Sequence, residues 1–151
     1  MNPKDLLLVL EKLRLSLEQL LQNAKLKQEA LIKMNDEQLV KAISDEERFI
    51  RAVKNAENER LNKMAEIYKI SGKPGSDFKL SAFIKTFKSV VDEKTLKLLS
   101  NYEKVIKKMT IEVMNVNRQN LFLIEHSRQF ITSLMGIVYQ DKNRSLFDRK
   151  V

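Results

Sequence analysis

The stretch "PKDLLLVLEKLRLSLEQLLQNAKLKQEALIK", residues 3–33, decides the fold, because its apolar side chains recur at alternating spacings of four and three. This spacing places them on one face of a helix and is typical of a heptad seam. Asn2 and Pro3 supply an N-cap and a favourable first helical residue. The seam positions are Leu6, Leu10, Leu13, Leu17, Leu20, Ala24 and Leu31. The stretch predicts a long amphipathic helix that packs against other helices.

The remaining sequence continues the helical pattern with one clear break. Asn35 precedes a second amphipathic segment that runs to about residue 70, and "SGKPGSDFKLS", residues 71–81, contains two of the three glycines. The latter stretch predicts a loop. Beyond it, "AFIKTFKSVV" at 82–91 favours a short helix, and residues 93–139 carry a second heptad seam that Asp92 can cap.

These patterns predict one all-α domain over residues 1–151, an antiparallel helical bundle of three long helices plus one short helix, with a long C-terminal helix. The expected parts are a helical hairpin at 1–70, a loop at 71–81, the short helix and the long C-terminal helix at 82–139, and a mobile tail at 140–151. The shared core is expected to contain Leu10, Leu13, Leu17, Leu20, Ile43, Ile50, Val53, Ile106, Met109 and Val113.

Composition argues against a catalytic protein. The chain has no cysteine and one histidine, and it lacks a glycine-rich phosphate loop, so no catalytic site, metal site or cofactor is expected. The absence of cysteine favours a reducing, cytoplasmic setting. Near the N-terminus only five consecutive apolar residues precede Glu11, which is too few for a signal peptide or a membrane-spanning segment. We therefore expect a cytoplasmic protein that does not insert into a membrane.

The net charge of +8 is concentrated in the second half of the chain. Residues 1–70 contain 13 Lys+Arg and 12 Asp+Glu, whereas residues 71–151 contain 15 and 8. A basic excess can indicate contact with nucleic acid. Here most cations are spaced singly along helical faces, with no aromatic platform beside them. This spacing favours a solvated helix face over a nucleic-acid site.

The predicted last helix is longer than its partners. At about 1.5 Å per residue, the first two helices measure roughly 45–50 Å and the last roughly 70 Å, so its C-terminal end would extend about 15 residues beyond them. That end carries an apolar stripe, and a stripe of this size usually marks a site for a partner. The alternative is that the short helix folds over it. The site is predicted to comprise Asn117, Arg118, Asn120, Leu121, Ile124, Phe130, Ile131, Leu134 and Val138.

Three of these residues are polar. An asparagine on a buried seam fixes the register of helices at a cost in stability, which is one interpretation of Asn120. Asn117 and Arg118 add donors that can hold the backbone carbonyls of an incoming segment. The alternative is that all three face solvent or bond to local carbonyls.

The segment "NRQNLFLIEHS", residues 117–127, and the tail ending "SLFDRKV" resemble the C-terminal helix of the FlgN family of flagellar export chaperones. The stretch "EERFIRAVKNAENER" at 46–60 is also similar to the N-terminal half of that family. The resemblance implies a chaperone that binds the terminal segments of hook-associated (hook-filament junction) proteins, prevents their premature assembly and delivers them to the type III export gate. It also implies that a tail aromatic docks on the gate, here Phe147, with Tyr139 as the second candidate.

Two other functions remain open from the sequence. Heptad seams of this length also build homo-oligomers, so a structural coiled-coil or tethering protein is the main alternative, and the sequence does not fix the oligomeric state. A nucleic-acid binder is the third possibility, and its affinity would fall steeply with salt.

For the tail, the alternative is a frayed terminus with no role.

Overall fold

The computed structural model describes the backbone of residues 2–75 and 77–148, and the side chains of residues 2–75 and 77–137. It contains α1 (Pro3–Lys33), α2 (Asp36–Ile70), α3 (Leu80–Phe87) and α4 (Glu93–Asp148). This part of the chain has no β-strand. The predicted all-α bundle of three long helices and one short helix is confirmed.

Side-chain caps fix where three of the helices begin. Asn2 Oδ1 accepts a hydrogen bond from Lys4 N at 3.2 Å, and Asn35 Oδ1 accepts one from Gln38 N at 3.1 Å. Asp92 Oδ1 does the same for Thr95 N at 2.9 Å. Each cap satisfies a backbone N–H that has no partner within its helix. Between α1 and α2 the chain reverses at Met34, whose φ of 52° lies in the left-handed region.

The end of α4 differs from the prediction. The sequence places it near residue 139, where the apolar period is lost, but the backbone stays helical to Asp148. Residues 137–148 contain neither proline nor glycine. Where the apolar stripe ends, the helix has no face to bury, but the sequence there contains no residue that breaks a helix. The predicted mobility of residues 140–151 stays a prediction.

α1 is the central helix of the bundle. Ion pairs from Lys12 to Glu59 and from Lys27 to Glu46 show that α2 runs antiparallel to it. Tyr102 bonds to Glu11 and Asn120 bonds to Ala24, so residue numbers rise together along α1 and α4 and these helices are parallel. The three long helices therefore run up, down and up. Along the sequence, α3 comes between α2 and α4.

The core follows α1 from one end to the other. Near its start, α3 inserts Phe83 and Phe87 against α1, α2 and α4, and the ring of Phe83 lies edge-on to that of Tyr68 at 5.7 Å between centroids. Further along, Leu13 and Leu17 pack on Ala56. At the far end, Leu20, Leu21 and Ala24 meet Val113 and Val116 of α4.

Two expectations about packing are wrong. Ile43 is 51% exposed, and its neighbour Ala42 is buried instead, because Asn23 bonds to the Ala42 carbonyl and brings α2 close to α1 at that residue. Most of the remaining predicted core residues are buried or packed against it. The alternative that the short helix folds over the C-terminal stripe of the last helix is also wrong. α3 packs at the N-terminal end of α4, so it does not cover the C-terminal stripe.

We expect Leu17→Ala to lower the free energy of unfolding by about 2–5 kcal/mol, because Leu17 is only 5% exposed and its removal leaves a cavity. Leu8→Ala is the matched control, since Leu8 lies on the same helix but is 72% exposed, and its effect should stay within about 0.5 kcal/mol. Urea unfolding followed by circular dichroism measures both. Equal losses for the two variants would mean that the seam is assigned to the wrong face.

Candidate functional site

The C-terminal part of α4 projects beyond the bundle. Its last hydrogen bonds to α1 are Asn120 to Ala24 and Gln28 to Gln119. α1 ends at Lys33, nine residues after Ala24, which corresponds to about residue 129 of α4 if the two helices stay parallel. From there to Asp148 the helix extends about 30 Å further. All side chains at 128–137 are exposed. The predicted overhang is therefore present in the structure.

The exposed apolar residues of this segment continue the face that packs on α1. Val113, Val116 and Asn120 are buried against α1, and Ile124, Ile131 and Leu134 follow from them at helical spacings of four, seven and three. We call Ile124, Phe130, Ile131, Leu134, Met135 and Ile137 the overhang stripe. Ile124 is half-buried at the edge of the bundle, whereas Ile131 is 58% exposed. The stripe is thus a coiled-coil seam whose partner helix has ended.

The predicted polar residues have different positions. Asn120 is 2% exposed and donates from Nδ2 to the Ala24 carbonyl at 3.0 Å, so it lies on the buried seam and the alternative that it faces solvent is wrong. Its Oδ1 has no hydrogen-bond partner. Asn117 is half-buried and Arg118 is exposed. Leu121 is exposed one residue from Asn120, on the flank of the seam. The side chains of Val138, Tyr139 and Phe147 lie outside the described residues.

A second buried asparagine was missed by the sequence analysis. Asn23 donates from Nδ2 to the Ala42 carbonyl at 2.9 Å and is buried between α1 and α2. Next to it, Ala24 receives the bond from Asn120 of α4. Adjacent residues of α1 therefore hold both neighbouring helices through buried amides. The sequence contains a hint of this residue, since Asn23 stands next to the seam position Ala24. An asparagine on the surface of a helix gives the same pattern, so the hint does not distinguish the two.

Charged groups reinforce the same pairing of α1 with α4. Glu11 accepts hydrogen bonds from Arg14 at 2.7 Å and from the Tyr102 hydroxyl at 2.9 Å. The Arg14 bond, followed by that of Tyr102, outweighs burial and lowers the pKa of Glu11 to about 2. This carboxylate therefore stays charged near neutral pH. Lys25 and Glu112 form a further ion pair at 3.1 Å. These groups hold helices together and do not form a reactive centre.

The described residues offer little for other kinds of site. They contain no group of three or more His, Cys, Asp or Glu side chains that could hold a metal ion. In the same part of the chain, no helix is both long and apolar enough to cross a membrane. The overhang stripe is the candidate site, and the chemistry it offers is apolar contact with another helix.

We expect Asn120→Leu to raise the free energy of unfolding by about 1 kcal/mol, because the unpaired Oδ1 carries a desolvation cost of about 1–3 kcal/mol that leucine avoids at similar volume. Asn120→Ala should be less stable than Asn120→Leu, since it leaves a cavity. Urea unfolding of the three proteins compares them. A leucine variant less stable than wild type by more than about 1 kcal/mol would show that the Ala24 bond stabilises the fold on balance.

Comparison with known proteins places the chain in a family. The family model described as "FlgN protein" matches residues 1–150. Searches of curated proteins and of solved structures found no match.

Proposed function

The chain belongs to the FlgN family of flagellar export chaperones, and we propose that its overhang stripe is the surface that binds its clients. Membership implies a chaperone role toward flagellar hook-associated proteins. The proposal adds a place and a mode of binding: an amphipathic helix from a terminal segment of such a protein packs on Ile124, Ile131 and Leu134. The observation that carries it is the unpaired seam of α4 beyond the end of α1.

The geometry suggests how the client helix lies. Inside the bundle, α1 covers the face of α4 that carries Val113, Val116 and Asn120. The overhang stripe is the same face a few turns later, so a client helix would continue the line of α1 along α4. Its apolar residues would need spacings of three and four, as in α1 itself. A client that assembles through such a face would be kept from assembling while α4 covers it.

Ile131→Asp should weaken client binding at least tenfold, because a carboxylate would be buried without a partner in the helix-helix contact. Phe122→Asp is the matched control, since Phe122 is 70% exposed on the same helix but lies on the opposite side of it from Ile131, and the affinity of this variant should stay within twofold of wild type. Isothermal titration of a purified hook-associated protein into each variant measures affinity, and circular dichroism checks that both remain helical.

The outcomes of this titration separate the alternatives. Normal binding by Ile131→Asp, and by Ile124→Asp at the bundle edge, would overturn the client site. If Ile131→Asp instead unfolds the chain, the stripe belongs to the core. Light scattering of the free protein tests the coiled-coil alternative. A stable homodimer that Ile131→Asp dissociates would favour a tethering protein over a chaperone.

Delivery to the export gate is the second part of the proposed function. It rests on the resemblance of the tail to that of the family, with Phe147 as the gate contact and Tyr139 as the second candidate. The overhang supports it sterically, because it carries residues 140–148 away from the bundle on a continuous helix. A cytoplasmic site of action accompanies this proposal, since clients must be held before they enter the export channel.

Phe147→Ala should leave the client affinity and the stability unchanged, because the residue lies beyond the overhang stripe. It should reduce binding of the client-loaded chaperone to the cytoplasmic domain of the gate at least fivefold, as measured by biolayer interferometry. Tyr139→Ala is measured beside it to decide between the two aromatics. Undiminished gate binding by a protein truncated after Gln140 would remove Phe147 and the rest of the tail from the mechanism.

A further inference from the structure

A second groove lies at the opposite end of the molecule, between α3 and the first turns of α4. It is a shallow, open groove with a volume of about 470 Å³. Ile84 and Leu96, both half-buried, form its apolar part. Lys85, Lys88 and Lys97 stand around it, together with Ser81, Glu93 and Ser100. We call this the α3–α4 groove. α3 packs its other face into the core, and Ile84 and Leu96 themselves rest against that core while staying partly exposed in the groove.

The surroundings of this groove are strongly basic. Residues 79–108 contain eight lysines and three acidic residues, a net charge of +5. Two of the acids are already engaged: Glu93 pairs with Lys97 at 2.7 Å, and Asp92 caps α4 through Thr95. The charges of Lys85 and Lys88, on the α3 side, are therefore available to a partner.

We propose that the α3–α4 groove docks an acidic amphipathic helix of a partner protein. Leucine-like side chains of that helix would pack on Ile84 and Leu96, and its Asp or Glu side chains would face Lys85 and Lys88. Apolar anchors with a charged rim of opposite sign are the usual anatomy of a specific protein contact. The complementary charge also speeds association and makes it sensitive to salt.

The lining argues for a protein over the two other acidic partners. Binding to a membrane surface requires apolar side chains that protrude into it, whereas Ile84 and Leu96 are half-buried and pack against the core. Single-stranded nucleic acid needs aromatic platforms for its bases, and the side chains that line this groove include none.

The groove is separate from the client site. Leu96 and Ile131 lie 35 residues apart on one helix, which corresponds to about 50 Å. Both surfaces can therefore be occupied together, and a partner held at the groove would be linked to a client held at the overhang. This inference does not depend on the client assignment, because neither surface shares a residue with the other.

The test uses the full chain and a designed peptide as the probe. The peptide has about 16 residues, with leucines at i, i+3, i+4 and i+7, glutamates only beside this leucine face and alanines elsewhere to keep it helical, and its counterpart carries glutamine in place of glutamate. Fluorescence anisotropy should show binding of the glutamate peptide that weakens with salt and at least tenfold weaker binding of the glutamine peptide. The double variant Lys85→Glu, Lys88→Glu should bind the glutamate peptide at least tenfold more weakly than wild type.

A matched double variant controls for net charge. Lys41 and Lys54 are exposed on α2, away from the groove, and changing both to glutamate alters the charge equally. This control should keep the affinity for the peptide, and the groove variant should keep the affinity for a hook-associated protein. The proposal is overturned if the peptide does not bind, or if both double variants weaken it equally. It is also overturned if phosphatidylglycerol vesicles or a single-stranded oligonucleotide bind at the lysine pair more tightly than the peptide does.

Discussion

The bundle depends on the contact that α1 makes with both of its long neighbours at adjacent residues. Asn23 reaches the backbone of α2 and Ala24 receives the amide of Asn120 from α4, so these bonds set the register of both pairs of helices. Apolar packing alone would allow such helices to slide by seven residues, about two turns, because leucine seams repeat at that interval. A buried amide loses its partner after such a slide, and its desolvation then becomes a penalty. The register that results determines how much of α4 is left beyond the bundle.

The overhang stripe is uncovered because the long helices differ in length. α1 and α2 are 31 and 35 residues long and reverse at a tight turn, whereas α4 has 56 residues. Since α1 and α4 start from the same end of the bundle, the difference appears entirely at the other end. Apolar residues continue along the same face of α4 beyond the point where α1 ends, and they are therefore left uncovered. The proposed client surface is therefore a continuation of the core seam rather than a separate patch.

Much of this was predictable from periodicity, and the failures have identifiable causes. The Leu6 to Leu31 seam and the asparagine caps predicted α1 and its neighbours because those signals are local. Ile43 was wrongly placed in the core because burial at that level depends on how closely α2 approaches α1. The small residue Ala42 permits a close approach, and the seven-residue repeat of apolar residues does not predict it. The position of α3 depends on where Phe83 and Phe87 find space among three other helices. Asn23 escaped notice because a buried asparagine has the same local sequence signal as an exposed one.

The exposure of the side chains at residues 128–137 also affects how tightly the proposed site would hold a client. A helical segment without packing opens locally at a small free-energy cost, so backbone amide exchange should become faster along α4 as it leaves the bundle. Ordering such a segment on binding reduces the net affinity below what the buried area alone would give. For a chaperone this is useful, because a client has to be released at the end of its journey. If clients bind there as proposed, the exposed length that makes the surface available would also limit the lifetime of the complex.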